Sequence, residues 1–86
     1  MNVNVFDTHV RTGDGRYLHF DVLTDNRDVD LAGVYAAEWL ASRGIEAADI
    51  SQSRCQFCHS EFASPAVAEA IEKQGYFILP LEGCQE

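Results

Sequence analysis

The chain carries a single lysine, Lys73, and five arginines against fourteen acidic residues, for a formal net charge of −8. Such a surface repels a phosphate backbone, and no concentrated basic cluster offsets it, so neither nucleic acid nor an anionic membrane surface is an expected partner. Long hydrophobic runs are absent as well. The densest apolar segment is "YFILPL", residues 76–81. It falls far short of the roughly 20 residues a spanning helix needs, and Pro80 interrupts it. The first residues, "MNVNVFDTHV", show no basic segment followed by an apolar one. No secretory signal is therefore expected, and the expected location is cytoplasmic. Cysteines number three. An odd count without an export signal argues against a disulfide framework and leaves reduced thiols, as metal ligands or as redox groups. Apolar residues make up 47% of the chain and charged ones 23%, the balance of a folded protein rather than a disordered one. Internal repeats and low-complexity linkers are missing, so residues 1–86 are expected to form a single small domain.

Six elements can be read from pattern and punctuation. "NVNVFDTHV" and "RYLHFDVLT" are rich in β-branched and aromatic residues, and the "RTGDG" between them supplies glycines for a tight turn. They predict a β-hairpin. "VDLAGVYAAEWLASR" predicts a helix capped by Asp25 or Asp28, with Ala32, Ala36 and Leu40 on its buried face beside Trp39, and Gly44 just past its end. Gly33 costs about 1 kcal/mol relative to alanine inside a helix, which points to a close approach to the sheet. A third strand is expected within "EAADISQSRCQF". Ser64 as N-cap, Pro65 in the first turn and Gly75 past the end frame a second helix with Val67, Ala70 and Ile71 as its apolar stripe. "YFILPL" is the last strand, expected to be buried on both faces with Pro80 at its end. The order is β-β-α-β-α-β, an α/β (α+β) domain with a four-stranded mixed sheet and two helices. Strand-helix-strand connections favour right-handed parallel crossovers. The second, third and last strands are therefore expected to run parallel, with the first antiparallel to the second.

"SRCQFCHSEF" holds Cys55, Cys58 and His59 in a CxxCH string. In the expected topology these residues follow the third strand, while Cys84 follows the last. Parallel strands end on one edge of a sheet, so Cys55, Cys58, His59 and Cys84 are expected to gather there. Four nitrogen and sulfur donors suit tetrahedral zinc, although His59 directly after Cys58 makes joint ligation cramped. Thiol redox chemistry is a second reading, weakened because the second helix starts several residues too late to lower a thiol pKa through its N-terminus. Haem attachment uses the same string but needs an export route. Quiet packing of small buried cysteines stays open beside these.

The hairpin carries a second constellation. The register that gathers Phe6, Thr8, Val10, Leu18, Phe20 and Val22 on one apolar face sets Asp7 opposite Asp21 and His9 opposite His19 on the other. Facing carboxylates repel unless a proton or cation lies between them. Asp7, His19 and Asp21 are thus candidate binding residues, against the plainer reading of a solvated polar face. "TGDG" precedes a strand and has no P-loop lysine, so it is a turn rather than a phosphate loop.

"VFDTHV", "LHFDVLTD", "AAEWL", "CQFCHS" and the terminal "EGC", in this order and over nearly the whole chain, resemble a small bacterial family catalogued as domain of unknown function two thousand and twenty-four. The resemblance rests on Asp7, Thr8, His19, Phe20, Asp21, Trp39, Cys55, Phe57, Cys58, His59 and Cys84. It implies an α/β fold and no established activity. The family pattern has an aromatic residue where this chain has His9, which ranks His9 below His19. Three classes follow: a zinc-binding module, a thiol redox protein or small enzyme, and an interaction module or homodimer using a free sheet face. No reaction class is favoured.

Overall fold

In a computed structural model, which describes residues 1–83, Asn2–Thr12 (β1) and Tyr17–Thr24 (β2) form the hairpin. Its turn closes through Thr12 N–H donating to the Arg16 carbonyl at 3.0 Å, and Gly15 takes a φ of 93° that a side chain would resist. The register pairs Asp7 with Asp21 and His9 with His19, as the burial pattern requires. Phe6, Thr8, Val10, Leu18, Phe20 and Val22 are all buried.

Helix α1 spans Val29–Ser42. The Asp28 carboxylate accepts N–H groups of Asp30 at 2.9 Å and Leu31 at 3.4 Å, which satisfies two orphan donors of the first turn. Ala32, Ala36 and Leu40 are its buried residues. Gly33 differs from expectation. A Cβ there would meet open space, so no close approach explains it. A short 3₁₀ turn at Ala47–Asp49 leads into β3 (Ile50–Phe62). Helix α2 spans Pro65–Gln74, capped by Ser64 and closed by Gly75 at φ 96°. Strand β4 is Phe77–Glu82.

The strand order is β3-β1-β2-β4, and every neighbouring pair is antiparallel. The expected mixed sheet is therefore corrected to an antiparallel one. Strands β2 and β3 do share a direction, but β1 lies between them, and β4 runs opposite to both. The crossover preference governs handedness, not how many strands a connection skips. The end of β3 pairs with Asn2, whereas the end of β4 pairs with His19 near the hairpin turn. The two strand ends expected to share one edge thus lie at opposite ends of the sheet.

The helices lie on opposite faces, so neither face is left wholly free. Even-numbered hairpin residues pack with Ala32, Ala36 and Leu40 of α1, while Val3, Val5 and Leu23 pack with Ile71 of α2. Strand β4 is an edge strand rather than a doubly buried one. Leu79 and Leu81 are exposed, and Pro80 is tolerated because an edge position does not demand every N–H. No helix among the described residues is long and apolar enough to cross a membrane.

Candidate functional site

Helix α2 covers only one end of its sheet face, over Val3, Val5 and Leu23. Beyond it, the odd-numbered residues of the hairpin form an open polar row, because period-two alternation places Asp7, His9, His19 and Asp21 on this side. Strand β3 extends the row, with Gln56 opposite Asp7 and Arg54 opposite His9.

Asp7 is the centre of the row. His19 Nε2 donates to its Oδ1 at 2.5 Å, and His9 Nε2 donates to its Oδ2 at 2.8 Å. The two imidazoles stack with centroids 4.1 Å apart and planes 12° apart. With His9 Nε2 donating, its Nδ1 is left to accept the Tyr17 hydroxyl proton in a short contact. Among the described residues, Asp7, His9 and His19 form the group of metal-ligating side chains whose ligand atoms all lie within 4.8 Å of one another. One carboxylate oxygen and two imidazole nitrogens, all half-buried, are a donor set for zinc or another first-row divalent ion, with coordination positions left open for water or ligand. The Tyr17 hydroxyl would then orient His9 from its far nitrogen.

The two facing aspartates are shifted in opposite directions. Burial alone would raise Asp7, but the hydrogen bonds from His19 and His9 overcome it and hold its carboxyl below the ordinary 3.8. Burial, and then the charge of Asp7, push Asp21 above that value. Asp7 therefore adds stability above its unfolded value, and this is lost as pH falls through the lower folded one. Asp21 works in reverse: its contribution is intact below its unfolded value and is lost as pH rises through the higher folded one. In chelator at neutral pH, Asp21→Asn is expected to stabilise the protein by about 0.5 kcal/mol by removing a like charge. Asp7→Asn is expected to cost about 1 kcal/mol, after solvent screening, by weakening two charge-assisted hydrogen bonds. Urea titrations of the two variants check the opposite signs.

The cysteine string lies within β3, not after it. Cys55 is opposite Thr8 on the α1 side, where the Thr8 hydroxyl donates to its sulfur at 3.5 Å. Burial pushes the Cys55 thiol up. At Cys58 the register shifts, since Phe6 pairs with Phe57 and Val5 with His59, so Cys58 is the extra residue of a β-bulge. Its sulfur lies 3.3 Å from His59 Nδ1, and His59 Nε2 is 2.8 Å from Glu61 Oε1. His59 is opposite Val5 and Glu61 opposite Val3, which puts both on the α2 side of the sheet rather than beside Cys55. Cys84 lies outside the described residues. Of the expected zinc set, Cys58 and His59 touch each other, and Cys55 faces the other helix. Tyr17 and Arg54 were not recognised in the sequence. Tyr17 is legible as the neighbour of the His9–His19 pair in the hairpin register, but the position of Arg54 depends on which strand flanks β1.

The model of the family Domain of unknown function (DUF2024) matches residues 1–81. The chain belongs to this family. A solved structure shares the fold. The NMR structure of protein NE1680 from Nitrosomonas europaea is 47% identical and superposes with a TM-score of 0.83, covering 99% of this chain and 100% of that one. No curated protein matches. As a DUF2024 member with a homologue from structural genomics, the chain has its α+β fold established and no function assigned by likeness.

Proposed function

We propose that this DUF2024 protein is a small metal-binding module that holds a zinc-class divalent ion through Asp7, His9 and His19. The observation that carries the proposal is the convergence of both histidine Nε2 atoms on one carboxylate from two adjacent strands. A divalent cation held by the two Nε2 atoms and the carboxylate would require each imidazole to be neutral with its proton on Nδ1. The zinc expected from the sequence is thus proposed for the hairpin row rather than for Cys55, Cys58, His59 and Cys84. The test is metal content of reduced, untagged protein after equilibration with zinc. About one equivalent is expected in the parent and in a variant with all three cysteines changed to serine, and almost none in His9→Ala/His19→Ala. The reverse pattern would assign the metal to the cysteines, and no uptake by any form would end the proposal.

A second reading rests on Cys58, His59 and Glu61. Thiol, imidazole and carboxylate stand in the order that activates a cysteine, with Glu61 orienting the ring whose Nδ1 faces the sulfur. It predicts that Cys58 reacts with iodoacetamide faster than Cys55 by about tenfold or more, and that Glu61→Gln slows Cys58 alone. Site-resolved mass spectrometry reads both, and equal rates at Cys58 in parent and variant would remove this reading.

A further inference from the structure

Beside the Asp7–His9–His19 cluster lies a cleft of ≈ 550 Å³ walled by His9, Arg11, Tyr17, Ser53 and Arg54. We infer that this cleft binds a small organic oxyanion, a carboxylate or phosphate held by Arg11 and Arg54 with its other end reaching the metal; the inference rests on the metal-binding proposal above.

Charge placement is the first support. The chain has a net charge of −8 and only six Lys and Arg residues. Arg16 lies 3.6 Å from Asp14, and Lys73 lies 3.0 Å from Glu69. Arg27 and Arg43 lie over the rings of Phe57 and Trp39. Arg11 and Arg54 converge instead on one cleft, and among the described residues neither is ion-paired with a carboxylate. Arg54 donates to the neutral Gln56 amide oxygen at 3.2 and 3.3 Å, and Arg11 lies 5.0 Å from the Tyr17 ring centroid. These contacts steer the guanidinium groups without neutralising them. Planar guanidinium forks match carboxylate and phosphate oxygens in paired hydrogen bonds.

Continuity with the metal ligands is the second support. His9 forms part of the cleft wall and also donates to Asp7, so a ligand in the cleft would lie next to the Asp7–His9–His19 cluster. The volume lies within the usual range of small-molecule sites, about 300–1,000 Å³. Tyr17 adds an aromatic wall, and Gln52, opposite Arg11 on β3, adds a side-chain amide. An acidic protein whose two cleft arginines have no carboxylate partner among the described residues would repel anions elsewhere and admit them there.

The experiment titrates zinc-loaded and metal-free ¹⁵N-labelled protein with succinate, with phenyl phosphate, and with the neutral succinamide, after zinc affinity has been measured separately. In the zinc-loaded parent, saturable shifts at Arg11, Tyr17 and Ser53 are expected with a Kd on the order of 1 mM or tighter for at least one oxyanion, and none with succinamide. Whether succinate or phenyl phosphate binds more tightly identifies the head group. Arg11→Gln/Arg54→Gln should weaken the oxyanion by about tenfold or more while zinc affinity holds, since both arginines are exposed and neither is a metal ligand. Normal zinc binding with no saturable oxyanion shift, or with the double variant binding as tightly as the parent, overturns the inference. Failure of zinc uptake with arginine-dependent oxyanion binding intact overturns the metal proposal and upholds the cleft.

Discussion

Replacing His19 by alanine is expected to weaken zinc binding by at least about 100-fold, because even the loss of an outer partner of a metal ligand costs about 10–100-fold. The same substitution leaves the apolar face of the hairpin untouched, since His19 points to the α2 side while Leu18 and Phe20 face α1. The protein should therefore stay folded, and stability and metal affinity should separate. Zinc at a hundred times its Kd adds about 2.7 kcal/mol to the folded state. For a domain of this size that raises the melting temperature by roughly 10 °C or more. Calorimetric melts with zinc and with chelator should show this increment in the parent and lose it in His19→Ala. Acidification should lower the affinity too, because imidazole must shed its proton to ligate and binding releases protons. A zinc-dependent rise of equal size in parent and variant would mean that the ion lies elsewhere.

Phe20→Ala should be the most damaging core change. Phe20 is fully buried at the centre of the α1 face, with its ring 4.8 Å from that of Trp39. Removing a buried phenylalanine costs about 3–5 kcal/mol, the lost transfer energy plus the cavity left behind. An 86-residue domain has total stability on the order of 5–10 kcal/mol. The variant should thus lose much of its stability and unfold at far lower urea, with an unchanged slope if the denatured state is unaffected. Phe57→Ala is the matched control. Phe57 touches Phe6 edge-on from an edge strand but is 42% exposed, so its loss should cost about 1 kcal/mol. Similar losses in the two variants would show that the α1 face is not the principal core.

The Asp7–His9–His19 cluster and the core are linked through one strand pair. Strands β1 and β2 bury the even-numbered side chains against α1 and thereby present the odd-numbered ones to solvent as a set. A slip of one residue in their pairing would bury Asp7 and His9 and expose Phe6. The cost of that exchange locks the register, and the same lock holds Asp7 between the two histidines. The acidic residues of the site are therefore positioned by hydrophobic burial on the opposite side of the sheet.

Local elements were legible in the sequence wherever one short-range rule decided them. Asp28, Ser64, Pro65 and Gly75 mark helix ends through backbone groups a few residues away, and each stands where expected. The hairpin register followed from strict alternation and a glycine-rich turn. Strand β3 was the faintest element because it is an edge strand, largely exposed along its length, and carries no dense apolar pattern. Its extension through Phe62 took Cys58 and His59 into the sheet, and the bulge at Cys58 was invisible to a period-two reading.

What the sequence determined by itself is the order of elements and the facing of Asp7 with Asp21 and His9 with His19. These follow from burial and a short turn, where loop closure costs little entropy. The tertiary structure decided that β1 separates β2 from β3, that β4 runs against its expected direction, and that α2 stops short of the polar row. It also brought Arg54 and Gln56 beside His9 and Asp7 from more than forty residues away. Those choices depend on which pairing buries both helix faces at once, a property of the whole packed chain that no local pattern encodes.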